Sequence, residues 1–316
     1  MNGPAARPRV EWRNVDGLLL LDKPLGLTSN RALQQVRRLY RAAKAGHTGS
    51  LDPFATGLLP LCFGQATKVA GLLLDAPKAY RARLVLGART ATGDLEGEVL
   101  ERAPVPQLAP AAVEAVLARF VGELDQVPPM YSALKRDGQP LYKLARRGLE
   151  VERAARRVRI DALALERLEP AALEFHVRCS KGTYVRTLAE DLARALGTVG
   201  HLEALRRTEF AGLPSTALHT LASLEALAGD EPALDALLLP VDAALGAYPK
   251  VALGASDSAR FRQGAAVALP APVPSAAPGA EVRVYDATGG LLGLGALDGT
   301  ARAVEPKRLM CAQITP

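Results

Sequence analysis

No regular helix and no uninterrupted strand can run through Gly46-His47-Thr48-Gly49-Ser50-Leu51-Asp52-Pro53-Phe54-Ala55-Thr56-Gly57. Its three glycines free the backbone for positive φ or close approach. Pro53 fixes its own φ and removes a backbone donor directly after the one carboxylate. The stretch is expected to be a loop that holds Asp52 rigidly in the open. An Asp-Pro pair among glycines also suits an ordinary turn, with the carboxylate capping its own backbone. What the flanking chain brings to the loop decides between a turn and a site.

Upstream, Leu18-Leu19-Leu20-Leu21 reads as a short buried strand that ends in the turn Asp22-Lys23-Pro24. Thr28 or Ser29 offers an N-cap for a helix with Leu33, Val36 and Tyr40 at helical spacing. That helix leads through Arg37, Arg38, Arg41 and Lys44 into the Gly46 loop, so positive charge adjoins the candidate site. Downstream, Leu58 to Gly64 reads as a strand, Thr67 to Leu74 as a short helix, Tyr80 to Leu86 as a strand, and Pro110 to Val121 as a helix.

Leu173 to Ser180 alternates strictly, as a half-buried strand does, and runs into Lys181-Gly182-Thr183-Tyr184-Val185-Arg186. Val185, Leu188, Ala189, Leu192 and Leu196 then form one apolar helical face. Tyr184 and Arg186 thus sit at a strand-to-helix turn, where a helix N-terminus also favours anions. Arg186 is suited to be the partner of an acid.

The chain of 316 residues is long enough for one large domain and a small one, and its net charge of +6 is unevenly spread. Residues 135 to 159 hold nine basic and three acidic residues, a net of +6, so the remainder is about neutral. Such a segment points to a polyanion such as nucleic acid. Cys62, Cys179 and Cys311 are odd in number and far apart, with no metal spacing near any histidine, which predicts a reduced, cytoplasmic protein without zinc or disulfides. The opening Met1-Asn2-Gly3-Pro4-Ala5-Ala6-Arg7-Pro8 lacks the apolar core of a signal peptide, and no run is long enough to span a bilayer.

Residues 1–16 are expected to be a flexible or loosely attached tail, with Trp12 available to pin part of it. Residues 17–249 form the large domain, and 127–150 is a basic, irregular excursion from it. From 209 to 248 there are six acidic residues and no lysine or arginine, with helices over 221–227 and 233–239. Beyond Pro249, short β-like segments between glycine turns predict a small β domain over 250–316.

Several separated motifs together resemble the bacterial TruB-type tRNA pseudouridine-55 synthases. They are Gly17 to Ser29, Gly46 to Gly57, Gln126 to Lys135, Cys179 to Arg186 and His201 to Thr208. Arg262-Gln263-Gly264 and Val282-Arg283-Val284-Tyr285-Asp286 resemble a PUA-type RNA-binding domain. The resemblance covers nearly everything after residue 16. It departs at Ala91, where the family often carries an acid, and after Gly138, which lacks a usual basic residue.

The resemblance implies an α+β fold, a mixed, mainly antiparallel sheet flanked by helices, with the PUA-like β domain attached. It also implies isomerisation of a T-arm uridine in tRNA with no metal or organic cofactor. Asp52 is then the catalytic carboxylate, attacking ribose C1′ or the base or promoting a glycal-type route. Arg186 pairs with it. Tyr80 stacks on the target base and serves as a late proton acceptor, for which its phenol pKa of ~10 has to be lowered.

The base must leave its stack to be reached. His47 suits the displaced nucleotide, and Tyr184 and Leu205 wall the pocket. Lys181, Arg146, Arg147, Arg156 and Arg157 contact phosphates and read shape. A tRNA-folding chaperone and a guide-RNA-dependent synthase are the alternatives. Intact Asp52, Tyr80 and Arg186 argue against the first, and the basic excursion favours a stand-alone enzyme over the second; a monomer with no obligate protein partner is the default expectation.

Overall fold

The computed structural model describes residues 11–310 apart from 133, 137, 211, 212, 214–217 and 275. Its main sheet has nine strands. Eight lie side by side in the order His219–Thr220, Gly17–Lys23, Ala55–Phe63, Gly200–Phe210, Lys78–Leu86, Ala172–Cys179, Arg156–Glu169 and Gly122–Gln126, and Ala45–His47 pairs with the Ala55 strand. The Gly17 strand runs parallel to the His219 strand and the Gly200 strand parallel to the Ala55 strand, and the other pairings are antiparallel. The sheet is mixed and mainly antiparallel, as expected.

The four consecutive leucines have a direct cause. Leu19 and Leu21 face the main core, while Leu18 and Leu20 face a second cluster with Leu58, Cys62 and Phe210. A strand covered on both faces reads as a continuous apolar run because alternate side chains both meet protein. The centre of the sheet differs. Tyr80, Ala82 and Leu84 point into the main core with the helices Pro110–Ala118 and Val185–Ala195. Arg81 and Arg83 point out into ion pairs with Glu166, Glu169, Glu174 and Glu203.

Thr28 is the N-cap of the helix Ser29–Leu39, accepting from the Arg31 amide at 3.2 Å. The expected tail is corrected in part. Residues 1–10 lie outside the described residues, but 11–16 are fastened. Arg13 exchanges backbone hydrogen bonds with Arg41 and Ala43, its guanidinium binds Asp235, and Arg37 lies 4.5 Å over the Trp12 ring.

The second sheet has five strands in the order Lys250–Ala252, Glu281–Tyr285, Leu291–Leu297, Ala303–Leu309 and Val267–Ala268. It carries the helix Ala255–Arg262, which sequence reading missed because Phe261 is its one large buried apolar side chain. Val69, Leu245, Leu294 and Met310 pack together between the two sheets, and Lys68 Nζ donates to the Leu309 carbonyl at 2.7 Å. Cys311 and the rest of the C-terminus lie outside the described residues.

Candidate active site

The Gly46 stretch is a loop over its middle only. Ala45–His47 is a strand, and the next strand begins at Ala55, so Gly57 lies inside it. Between them the loop is clamped from both sides. Ser29 Oγ accepts from the Leu51 amide at 2.8 Å and donates to the Leu51 carbonyl at 3.1 Å. The Gly26 amide donates to Pro53 O at 2.8 Å. Lys23, fully buried, donates to the carbonyls of Pro24, Leu27 and Pro53 at 2.8, 2.6 and 3.4 Å. Burial lowers the Lys23 ammonium to about 8.

These bonds aim Asp52 at Arg186. Arg186 Nη2 lies 3.0 Å from Asp52 Oδ2, and its Nη1 lies 3.3 Å from Asp94 Oδ2. Nη1 also donates to Thr92 O at 2.8 Å and Nη2 to Tyr131 O at 2.7 Å. Asp94 in turn accepts from the Thr92 hydroxyl and from the Glu96 amide at 3.1 Å. The arginine is thus held by two carboxylates and two carbonyls. Withdrawal from water pushes the Asp52 carboxyl above its ordinary range, and the Arg186 charge pulls it back.

Two clefts meet at this pair. One, of about 320 Å³, is lined by Tyr80, Tyr184, Leu205, Lys78 and Arg207. The other, of about 490 Å³, is lined by His47, Asn30, Asp94, Tyr142 and Arg146. Both volumes fall within the roughly 300–1,000 Å³ usual for ligand pockets. Asp52 and Arg186 line both. Among the described residues the buried His47 Nδ1 has no hydrogen-bond partner, and burial, reinforced by the Arg207 charge, lowers the ring's pKa. Gln126 fixes Tyr184 at its helix N-cap by accepting from its amide at 2.7 Å and donating to its carbonyl at 3.1 Å.

The basic residues separate. Arg146 lines the larger cleft, 5.7 Å from the Tyr142 ring centroid. Arg156 shares a strand face with Val158 and Ile160, whose side chains are buried toward the helices, and its charge acts on Tyr184. Arg157 points to the opposite face, 3.5 Å from Glu123 and 3.7 Å from Asp125. Arg147 is exposed and lines neither cleft. Lys181 stands at the rim, 2.9 Å from Asp75. The excursion leaves the main sheet but returns to the site, since Tyr131 O holds Arg186.

One expected requirement meets opposing surroundings. Burial pushes the Tyr80 phenol above its ordinary value, where the proton-acceptor role asks for a lower one, and the Arg207 charge opposes that shift. Lys23, Lys78, Gln126 and Arg207 went unrecognised in the sequence. Arg207 carried a signal, because two residues after Leu205 in a strand it must share that residue's buried face.

Asp52, paired with a buried arginine, thus stands at the mouth of an aromatic-walled pocket on this sheet. Comparison with known proteins supplies the class. The model for the TruB family pseudouridylate synthase N-terminal domain matches residues 37–185, that for the tRNA pseudouridylate synthase B C-terminal domain 186–246, and that for the pseudouridine synthase II TruB C-terminal region 249–310. A tRNA pseudouridine synthase B of Burkholderia mallei is 54% identical, covering 98% of this chain and 99% of the relative. One of Ralstonia nicotianae is 52% identical, covering 97% and 98%. One chain in the crystal structure of a Cbf5-Nop10-Gar1 complex superposes with a TM-score of 0.72 at 26% identity, over 93% of this chain and 84% of that one. The chain belongs to the tRNA pseudouridine synthase B family.

Proposed function

We propose that this chain forms pseudouridine-55 in the T arm of tRNA, acting as a cytoplasmic monomer with Asp52 as its reactive carboxylate. The single observation that carries the reading is the Asp52–Arg186 pair at the shared mouth of two clefts. A flipped uridine fits the smaller cleft, with its base against Tyr80 between Tyr184 and Leu205. The larger cleft then receives a neighbouring displaced nucleotide against the His47 ring that lines it. Arg146 and Arg156, on the same side, take phosphates, with Lys181 at the rim.

The chemistry follows from these positions. Asp52 assists departure of uracil from C1′, by attack or by the glycal-type route, and Arg186 keeps the carboxylate charged and oriented. The freed base turns inside a walled pocket and offers C5 to C1′. Tyr80, its phenolic proton given up to solvent, then accepts the C5 proton as a phenolate, the C5–H electron pair restores the C5=C6 bond, and N1, which bore C1′ in uridine, takes a proton from solvent. No net proton is gained or lost. Residues 17–249 supply this centre and 250–316 a second RNA contact.

Release of tritium from C5-labelled uridine in an unmodified tRNA transcript tests the function with purified protein and no added RNA. Stoichiometric release is expected. Release that needs a second RNA would replace this reading with a guided synthase, and binding without release with a chaperone.

A further inference from the structure

We propose that Arg207 is a positioning residue for the reaction, a buried cation that braces the catalytic loop and electrostatically supports Tyr80 as the acceptor of the C5 proton. The inference rests on the proton-acceptor reading of Tyr80 given above and deepens it. Arg207 is 1% exposed, the largest of the fully buried side chains among the described residues. Its guanidinium donates to neutral carbonyls and lies within hydrogen-bonding reach of the Tyr80 side chain. Nε donates to Leu58 O at 2.6 Å, and Nη1 and Nη2 both donate to Gly49 O at 3.2 Å.

Among the described residues no carboxylate lies within ion-pair distance of it, and its π neighbour is Phe210, 5.1 Å from Cζ to the ring centroid. A fork donating to carbonyls explains the bracing of Gly49, but a neutral amide would do that too. The charge itself needs a reason, because burying an unpaired cation is costly.

Tyr80 supplies the reason. It faces Arg207 directly across the antiparallel pair of the Lys78 and Gly200 strands, and both line the smaller cleft. Opposite positions on one sheet face bring side chains into contact range. Burial works against a phenolate at Tyr80, and Arg207 is the charge that works for it. Among the described residues Cys179 and Asp52 also act on Tyr80, each disfavouring a second negative charge when ionised, and Lys78 lines the same cleft. When the phenolate takes the proton from C5 it becomes a neutral phenol, and the guanidinium stays where it is.

The test uses the full chain and an unmodified tRNA transcript carrying either hydrogen or deuterium at C5 of the target uridine. Arg207→Met removes the charge and the fork, while Arg207→Lys keeps the charge alone. Arg207→Met is expected to bind tRNA normally and to slow single turnover by about 100-fold, the scale of a lost general base. The C5 deuterium isotope effect rises with it, and Arg207→Lys recovers much of the rate. A rate loss that Arg207→Lys shares in full, with the isotope effect unchanged, overturns the proposal in favour of bracing alone.

Tyr80→Phe separates the two readings. If Tyr80→Phe leaves the isotope effect and rate intact, the proton-acceptor reading itself fails. If Tyr80→Phe is slow with a raised isotope effect but Arg207→Met adds its full loss on top, only the Arg207 inference fails. Non-additive losses in the double variant support it.

Discussion

The Arg186 guanidinium lies 3.0 Å from the Asp52 carboxylate, with 6% of the arginine side chain exposed and 42% of the aspartate's. The cation is thus locked in the protein while its anion opens on the clefts. A substrate can reach Asp52 without displacing Arg186, because Thr92 O, Tyr131 O and Asp94 hold the arginine from behind. On the proposed role of Asp52, the site is pre-organised around a charge that stays put while the carboxylate reacts.

Asp52→Asn is expected to keep tRNA affinity and lose turnover. The substitution preserves shape and leaves the two carbonyl bonds of Arg186 in place, but an amide neither attacks C1′ nor balances charge there. Tritium release from C5 and filter binding, measured on the same preparation, check this. Normal release would falsify the assignment of Asp52.

The pH dependence follows from the displaced carboxyl. With Asp52 as the proposed reactive carboxylate, turnover needs the anion, and a group pushed above 3.8 gives up its charge at a higher pH than a free one. The single-turnover rate therefore falls on acidification at a pH above that ordinary value. Arg186→Met removes the opposing charge, so the acid limb moves further up while the plateau drops. A limb at or below 3.8 in the parent, or unmoved in the variant, counts against the account.

Asp94→Asn breaks the second, fully buried pair. Its side chain is 4% exposed beside an arginine at 6%, so water cannot replace it. Removing one member of such a pair costs about 3 kcal/mol, and an arginine that shifts by an ångström loses on the order of 100-fold in rate. Urea unfolding and single turnover measure both. Parental values in both would show that Arg186 needs no second carboxylate.

The four-arginine block divides in solution as it does in space. Arg146→Ala and Arg156→Ala together lower the salt dependence of tRNA binding, by roughly one unit of slope for each phosphate no longer neutralised. Arg157→Ala leaves the slope unchanged, because that side chain lies on the far face near Glu123 and Asp125. Equal effects from the two faces would place RNA on both.

These arginines also show where the sequence was readable and where it was not. Leu18 to Leu21 read as a buried strand, and the alternation of Leu173 to Ser180 as a half-buried one. Asp52 and Arg186 were paired through family motifs, since no local rule joins residues so far apart. The strand Arg156–Glu169 went unseen because its outward face is charged, and charge density read as an RNA-binding segment hid its period of two. Arg207 went unseen for the opposite reason. A charged residue is assigned to water by default, and its shared face with Leu205 becomes readable only once 200–210 is known to be a strand, paired here on both edges.

Gly57 is where that inside is most tightly drawn. Its φ is +98°, and a Cβ there would sit 2.3 Å from Arg207 O and 2.9 Å from Arg207 N. Both neighbours are backbone, so no side chain can swing away. Gly57→Ala must therefore part the Ala55 strand from the Gly200 strand at the parallel pairing that sets Arg207 and Leu205. A loss of about 2 kcal/mol follows from the positive φ alone, with more from the clash. Turnover falls further than stability accounts for, since the displaced segment carries both Arg207 and the end of the catalytic loop. Gly71→Ala is the control. It sits in the helix Ala70–Leu74 with nothing within 4 Å of the added methyl and no positive φ, and gains roughly 0.5–1 kcal/mol. Thermal melting and single turnover of the two variants side by side test the contrast, and a Gly57→Ala protein that melts and turns over like its parent would refute it.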